Sequence, residues 1–308
     1  MTKHPVDPVS SATIAGRVTL DPMPPASGGG TVDRAAPVEQ VMVTAVGPRT
    51  RRERPDRVAG EEPLEIRLAG PGTEPEPVAV TMRTPGHDFE LAVGFLLAEG
   101  LLVDQRDVRT VKYCELPEGD LQRFNVVTVT AARPVAVGDR RRRVTVSASC
   151  GVCGTASLDE LKDRCPAVPT GEPISVGVLT NLPDKLRRRQ PVFEQTGGLH
   201  AAGLFDTSGR MLMVREDIGR HNALDKLVGW AALQRQLPLS HAVLVVSGRV
   251  SFEIVQKAAV AGIPTVIAVS APSSLAVATA RSLDMTLACF VRDAHANIYA
   301  APWRVTDT

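Results

Sequence analysis

The sequence predicts an α/β protein with two domains, a β-rich α+β domain followed by one whose mainly parallel sheet is covered by helices on both faces. Apolar residues alternate in short runs between residues 37 and 149, which is typical of strands with one wet face. From residue 171 onward, continuous apolar runs alternate with amphipathic segments, as buried parallel strands and their crossover helices do. The 308 residues suffice for about two domains of ordinary size.

The first 36 residues are predicted to be a disordered tail, since they hold five Pro, four Gly and three Ser without an apolar period. The β-rich domain, residues 37–149, follows with one long helix over Asp88–Leu101, where Gly100 acts as the stop signal. Its predicted strands are Val41–Val43, Leu64–Leu68, Val78–Met82, and a hairpin made by Phe124–Ala131 and Arg143–Ser149.

Residues 150–170 are predicted to be a loop and connector, in which Ser157 and Glu160 form a capping box that opens a helix. The α/β domain, residues 171–308, is expected to bind the ligand. Its predicted strands are Met211–Val214, Ala242–Val246, Thr265–Val269 and Leu287–Val291, and its predicted helices are Asn222–Leu233, Phe252–Ala261 and Leu275–Leu283.

Charge and hydropathy exclude several classes of protein. A balance of 35 Lys and Arg against 34 Asp and Glu excludes a generally cationic nucleic-acid binder. The longest mainly apolar stretch, Ala258–Ala271, is broken by Gly262 and Pro264, so no membrane partner is expected. Without a signal-peptide pattern the protein is expected in the cytoplasm, where reducing conditions disfavour a disulfide framework among its five cysteines.

Cys150 and Cys153 form the pattern most suggestive of chemistry. Each lies beside a glycine and close to a predicted helix start, so the two thiols can approach one another and one can be held as a thiolate. This favours sulfur or redox chemistry, with half of a zinc site or two buried cysteines as alternatives. The other cysteines, Cys114, Cys165 and Cys289, are scattered, so no structural metal is expected and each is interpreted as a buried hydrophobe.

Three polar segments each follow a predicted strand of the second domain. They are Ser247-Gly248-Arg249, Ser270–Ser274, which contains Ser273, and the run Phe290, Val291, Arg292, Asp293, Ala294 and His295. The carboxyl ends of parallel strands form the ligand crevice of such sheets, and helix amino ends bind phosphate. Since no segment is a Walker motif or a GxGxxG turn, the pattern predicts an anionic, nucleotide-like ligand but neither a standard NTPase nor a dinucleotide dehydrogenase.

Two further segments leave alternatives open. His200 invites comparison with zinc deaminases, but alanine occupies the position of their catalytic glutamate and the cysteine pair lies upstream. His200 therefore either contacts a ligand or is a core histidine. The polar segment Asp217–Lys226 is either an ordinary charged helix start or a ligand contact; Gly219, Arg220 and His221 favour the ligand.

These blocks together resemble the FdhD family of formate dehydrogenase accessory sulfurtransferases. The resemblance runs in order over about residues 37–300, and such a series of long blocks is specific. The matching blocks are Thr84–Gly100, Ser149–Gly154, Gly197–His200, Arg215–Lys226, Ser247–Glu253, Lys257, Gly262–Pro264, Ser270–Ser274 and Phe290–Arg292.

The resemblance implies a cytoplasmic sulfurtransferase that accepts persulfide sulfur from a cysteine desulfurase. It would pass the sulfur to the molybdenum or tungsten atom of Mo-bis(molybdopterin guanine dinucleotide), bound as a substrate, and so make the formate dehydrogenase catalytic subunit competent. The family pattern assigns the sulfur to Cys150 and Cys153 and the cofactor to Phe290–His295. A homodimer and a cytidine-deaminase-like α/β/α domain are also implied. The alternative is a redox or zinc-dependent chaperone that only binds immature formate dehydrogenase.

Overall fold

A five-stranded and a six-stranded sheet, each packed against helices, organise the protein. The structure is a computed structural model that describes residues 19–20, 36–114, 124–135 and 167–307. The predicted strand Arg143–Ser149, the predicted helix at Ser157 and both cysteines of the Cys-x-x-Cys pattern lie outside the described residues.

The five-stranded sheet has the order β1-β6-β7-β4-β5. Its strands are β1 (Thr19–Leu20), β4 (Glu62–Ala69), β5 (Glu76–Arg83), β6 (Val108–Tyr113) and β7 (Val126–Ala131). Leu64, Ile66 and Leu68 alternate along β4 and are fully buried, as the sequence pattern predicts for a half-wet strand. β1 pairs in parallel with β6, which the sequence analysis did not predict.

Helix α1 (Asp88–Ala98) packs on this sheet and confirms the one long helix predicted for the first domain. It ends just before Gly100, which adopts the left-handed conformation that favours glycine after a helix. A short 3₁₀ turn, Gln105–Asp107, follows and begins with a capping box at Asp104.

A separate two-stranded ribbon is formed by β2 (Val38–Gly47) and β3 (Thr50–Ala59). The apolar centre of β2 was predicted as a strand. β3 was not predicted, because four arginines and a proline interrupt any apolar alternation along it.

The six-stranded sheet has the order β10-β9-β11-β12-β13-β14. Its strands are β9 (His200–Asp206), β10 (Met211–Asp217), β11 (Ala242–Val246), β12 (Thr265–Ala268), β13 (Thr286–Arg292) and β14 (His295–Ala300). Only β11, β12 and β13 pair in parallel; the other three pairings are antiparallel. The prediction of a mainly parallel sheet is therefore wrong.

The cause is local chain reversal. β9 and β10 are joined by a short turn, and β13 and β14 by Asp293 and Ala294 alone, whereas parallel pairing needs a crossover of a dozen residues or more. The turn at Asp293-Ala294 lacks the glycine that usually marks a hairpin, so the sequence did not reveal it.

Helices cover this sheet on both faces, which confirms the predicted layering. α2 (Val176–Arg187) packs on one face, while α4 (Arg220–Leu233), α5 (Phe252–Val260) and α6 (Ser274–Ser282) lie on the other. Short α3 (Pro191–Thr196) follows α2, and β8 (Ile174–Ser175) pairs with β15 (Val305–Thr306) beyond the 3₁₀ turn Pro302–Arg304. The closer likeness to a cytidine deaminase stays a prediction.

The two halves share one apolar core, in which α1 crosses α4 at close range. Gly94 of α1 faces the backbone of Asp225, and Gly229 of α4 faces the backbone of Glu90; at either position a Cβ atom would overlap a carbonyl group. Arg215 on β10 adds a bidentate pair to Glu90 at 2.5 and 2.7 Å. The domain limits proposed from the sequence stay a prediction, because buried contacts run continuously from Leu64 to Ala300.

Candidate functional site

A cleft of about 630 Å³ lies at the carboxyl ends of β11, β12 and β13, between the sheet and α2. Its size falls within the range of small-molecule sites. The sheet side is formed by His200, Ser247, Val269 and the run Val291, Arg292, Asp293 and Ala294. The opposite wall is formed by Thr180, Asn181, Asp184 and Arg187 of α2, with Phe193 of α3.

The structure thus brings together five of the residues predicted to bind a ligand, Ser247, Val291, Arg292, Asp293 and Ala294, and adds His200. The remaining six, Gly248, Arg249, Ser273, His221, Phe290 and His295, lie outside the cleft lining. Arg249 and His295 are exposed. Ser273 caps α6 by accepting a hydrogen bond from the Ala276 N–H at 3.2 Å, a structural role.

The wall built by α2 was missed by the sequence analysis. Leu179, Leu182 and Leu186 recur at helical spacing and are buried against the sheet, which aims Thr180, Asp184 and Arg187 toward the cleft or its rim. Ser175 caps this helix through the Val178 N–H at 3.3 Å. Both the period and the cap were available in the sequence, although Pro183 inside the helix argues against them.

Unusual backbone conformation marks the edge of the cleft at the end of β13. Phe290, Asp293 and Ala294 have φ values of 54°, 49° and 60°, and the register with β14 shifts between Cys289 and Arg292. Left-handed conformations cost about 1–2 kcal/mol for residues with a Cβ atom, and such outliers concentrate at functional sites. The buried Val291 anchors this segment, while Arg292 and Asp293, which follow it, are exposed.

His200 is half-buried at the start of β9, between the cleft and the amino end of α4. Burial lowers the pKa of His200, and the positive charges of Arg220, His221 and Arg249 lower it further. A Cβ atom at Gly248 would lie 3.2 Å from Nδ1 of His200, so Gly248 makes room for this imidazole. The imidazole of His200 is therefore neutral at pH 7, and an anion bound beside it would favour its protonation.

Ser247 and Arg187 play different roles in the cleft: Ser247 joins two strands, and Arg187 provides a positive charge at the rim. The Ser247 N–H donates to the Ala201 carbonyl at 3.0 Å, and the Ala201 N–H donates to Ser247 Oγ at 2.9 Å, so Ser247 extends the pairing of β9 with β11. The guanidinium of Arg187 lies 4.3 Å from the centre of the Phe193 ring. This stack holds a cation at the rim of the cleft.

The polar segment Asp217–Lys226 is explained mainly by buried pairs that join the two halves. Lys226 Nζ lies 2.6 Å from Asp217 and donates to the Thr84 carbonyl at 2.9 Å, while the Thr84 N–H donates to Asp217 at 3.2 Å. Asn222 adds a hydrogen bond to the Met82 carbonyl at 2.8 Å. These side chains satisfy one another away from solvent, which is the structural alternative that the sequence left open.

Two more members of the segment pair with α5. Asp225 accepts from Lys257 at 2.6 and 2.9 Å in a buried ion pair. His221 lies 2.8 Å from Glu253 and 3.2 Å from Ser251. Of this segment, Arg220 alone has a buried side-chain nitrogen, Nε, that no described group satisfies.

A second cavity of about 730 Å³ is lined by residues of both halves and was not predicted. It is lined by Thr84–Glu90 before and within α1, by Arg215 and Glu216 of β10, and by Trp230 of α4. Its aromatic lining also includes Tyr113 and Phe124, whose rings meet edge to face at 5.1 Å.

Of the two cysteines that the structure describes, Cys114 and Cys289, one is buried as predicted from the sequence. Cys289 is fully buried in β13, and burial raises the pKa of its thiol to about 12, as expected for a buried hydrophobe. Cys114 is half-buried near Arg67. Within the described ranges no group of three or more His, Cys, Asp or Glu side chains is placed to hold a metal ion. No helix found in those ranges has the length and apolarity to cross a bilayer.

The chain matches a known protein family over most of its length. A profile of the FdhD/NarQ family matches residues 59–306, which is most of the chain. The chain belongs to the FdhD/NarQ family. The resemblance predicted from the sequence blocks is therefore confirmed.

Relatives in the FdhD/NarQ family share about half of the sequence. The Sulfur carrier protein FdhD of Streptomyces coelicolor is 51% identical over 259 residues, covering 82% of this chain and 90% of the relative. The protein of the same name from Mycobacterium tuberculosis is 51% identical over 262 residues, covering 82% and 93%. A solved structure from Desulfotalea psychrophila, described as a formate dehydrogenase accessory protein, has the same fold with a TM-score of 0.67 at 23% identity, covering 87% of this chain and 99% of that one.

Proposed function

We propose that this protein is a sulfurtransferase that loads sulfur on Cys150 or Cys153 and delivers it to Mo-bis(molybdopterin guanine dinucleotide) for formate dehydrogenase. One observation carries the proposal: relatives named sulfur carrier proteins align with about four-fifths of the chain at about 50% identity. The proposal includes a cytoplasmic location, a homodimer and a cysteine desulfurase as sulfur donor.

The loading step needs only a thiolate. The thiolate attacks the outer sulfur of the desulfurase persulfide, a new S–S bond forms, and the old S–S bond breaks to release the desulfurase thiolate. The carrier cysteine becomes a persulfide, and no electrons are exchanged with an outside oxidant.

The second cysteine provides a balanced way to release the sulfur. If its thiolate attacks the inner sulfur of the persulfide, Cys150 and Cys153 become a disulfide and the outer sulfur leaves as hydrosulfide. The two cysteine sulfurs supply the two electrons that reduce the outer sulfur. Hydrosulfide is a suitable form for a metal to accept as a ligand.

The cleft beside α2 is the proposed site for one guanine nucleotide end of the substrate. Arg292 and Arg187 lie on its two walls and present guanidinium groups, which pair well with phosphate oxygens. The neutral His200 adds a group that gains a proton near an anion. The metal end of the substrate would then lie outside this cleft, toward the sulfur carrier.

The alternative is a chaperone that binds immature formate dehydrogenase without transferring sulfur. Such a protein would retain the cleft and would still bind formate dehydrogenase, but its cysteines would undergo redox chemistry or bind a zinc ion. A variant without both cysteines separates the two functions: it would still bind formate dehydrogenase in either case, but it would still activate the enzyme only if the protein is a chaperone.

Sulfur loading on the cysteine pair can be measured directly. After incubation with a cysteine desulfurase and cysteine, mass spectrometry should find one added sulfur that a reductant removes. The Cys150→Ser, Cys153→Ser double variant should lack this mass, whereas Cys114→Ser should retain it, because the half-buried Cys114 has no role in the proposal. The same added mass in the double variant would refute the assignment.

A further inference from the structure

Gln190 is a buried polar side chain in the lining of the cleft. It is only 4% exposed, and it lies between α2 and α3. Its carbonyl accepts a hydrogen bond from the Glu194 N–H at 2.9 Å, in the first turn of α3. The backbone therefore holds Gln190 in a fixed position where the cleft meets α3.

The side-chain amide of Gln190 takes no part in the local structure. A residue at this position often caps the helix that follows, but Gln190 makes no such bond. The carboxylate of Glu216 already accepts the N–H groups of Val192 and Phe193, at 3.1 and 2.8 Å. Within the described ranges no other group forms a hydrogen bond with the Gln190 side chain.

This amide is nevertheless not sealed from solvent. Among the described side chains, Nε of Arg220 is the one nitrogen or oxygen atom that is both sealed and unpaired. The small exposed part of Gln190 therefore includes its amide, and the amide opens into the cleft. Because polar groups in protein interiors are nearly always paired, an unpaired amide on a cavity wall indicates where a ligand forms hydrogen bonds.

The rest of the cleft lining indicates which part of a ligand meets this amide. Phe193, Leu199 and Val291 supply apolar surface, whereas Arg187 and Arg292 are exposed. Exposed guanidinium groups suit phosphate. A buried amide beside apolar surface suits a neutral, flat group that carries a donor next to an acceptor. The edge and the faces of a nucleobase have this chemistry.

We propose that Gln190 binds the nucleobase of the substrate and that the phosphates point outward to Arg187 and Arg292. Oε1 of Gln190 accepts from a ring N–H and Nε2 donates to the acceptor beside it, a pair that N1–H and O6 of guanine provide. The remainder of the substrate then leaves the cleft beside Arg292, at the turn between β13 and β14. The inference rests on the nucleotide site of the proposed function and adds the direction in which the substrate lies.

Calorimetry with GDP and with inorganic pyrophosphate, which has no base, separates base binding from phosphate binding. Gln190→Leu is similar in size but forms no hydrogen bonds, so it should weaken GDP binding at least about fivefold and leave pyrophosphate binding unchanged. Arg292→Ala should weaken the binding of both. Gln236→Leu changes an exposed glutamine outside both cavity linings and should bind both probes as the parent does.

Gln190→Glu gives a signature that a purely structural residue would lack. A carboxylate only accepts hydrogen bonds, which suits the adjacent N1–H and N2 amino group of guanine, whereas N1 of adenine is itself an acceptor. The ratio of GDP affinity to ADP affinity should therefore rise at least about tenfold over that of the parent, measured at about pH 8 to keep the carboxylate ionised.

Pyrophosphate binding also reports whether each variant retains a folded cleft. Four results would overturn the proposal: a parent that does not bind GDP, unchanged GDP affinity in Gln190→Leu, equal loss of GDP and pyrophosphate binding in that variant, or an unchanged ratio in Gln190→Glu. Persulfide loading should be parental in both variants. Normal loading with any of the four results counts against the base site alone, whereas absent loading with the expected binding counts against sulfur transfer alone.

Discussion

At the scale of single residues, the cleft separates side chains that hold its walls from side chains that remain open to a ligand. The hydroxyl oxygens of Ser247 and Ser273 both accept backbone N–H groups, so these serines position strand and helix ends. The side chain of Arg292, in contrast, is exposed at the cleft and has no hydrogen-bond or ion-pair partner in the described part of the chain. A ligand would be its natural partner.

Arg292→Ala is therefore expected to weaken GDP binding by about 1.5–3 kcal/mol, the contribution of a charged hydrogen bond, which is a factor of roughly 10 to 150 in Kd. Calorimetry with GDP measures the change. Arg109→Ala removes an exposed arginine of β6, in the other sheet, and should leave binding unchanged. Equal affinity of Arg292→Ala and the parent would remove Arg292 from the site.

The lowered pKa of His200 gives a prediction with a definite sign. The free protein holds this imidazole neutral at pH 7, because burial and neighbouring cations disfavour its charged form. A bound phosphate would raise the pKa of His200, so binding should take up protons, and the contribution of His200 to affinity should increase as pH falls toward its pKa in the free protein.

Calorimetry of GDP binding in two buffers with different ionisation enthalpies would measure this proton uptake. The uptake should be lower in His200→Gln than in the parent, and comparing the two removes the titration of the phosphate itself. His241→Gln is the matched control, since His241 is an exposed histidine before β11, at the opposite end of the sheet. Equal proton uptake by parent and His200→Gln would contradict a role for His200 beside the anion.

At the scale of elements, most strands and helices with strong apolar periods were predicted closely, although α1 ends at Ala98 and not at Leu101, and β10 continues beyond Val214 to Asp217. Ala242–Val246 agrees in full, and Phe252–Ala261 differs from α5 by one residue. Elements held by tertiary contacts were missed. β3 is formed from arginines that pair with β2, and β9 contains small residues that gain their strand character from burial between β10 and β11. Local preference cannot reveal such pairing.

The crossing of α1 and α4 yields a prediction that contrasts two glycines. Gly229→Ala should lower the free energy of unfolding by about 1–2 kcal/mol, because its Cβ would meet the backbone of Glu90 and overpacking outweighs the gain of about 1 kcal/mol in helix propensity. Gly177→Ala in α2 meets nothing within 4 Å and should raise stability by up to about 1 kcal/mol. Urea unfolding of both variants measures the difference; a stabilising Gly229→Ala would contradict the close crossing.

At the scale of the whole molecule, half of the cleft could be predicted from topology. The rule that ligands bind at the carboxyl ends of parallel strands placed Ser247 and Arg292 together, although only three strands are parallel. The opposite wall could not be predicted, since it depends on how α2 packs over the other face of the sheet. The left-handed conformation of Phe290 could not be predicted either, because residues other than glycine rarely adopt it.

Sulfur loading and nucleotide binding should be separable, because the cysteine pair precedes residue 154 while every residue lining the cleft follows residue 179. The Cys150→Ser, Cys153→Ser variant should bind GDP as the parent does, and Arg292→Ala should accept sulfur at the parental level. Both classes should fail to activate formate dehydrogenase, since delivery requires sulfur and metal to be placed together and placement alone can change a rate by orders of magnitude. Persulfide mass, GDP calorimetry and an activation assay on the same preparations test all three statements. Full activation of formate dehydrogenase by the variant without these cysteines would contradict sulfur transfer and favour the chaperone function.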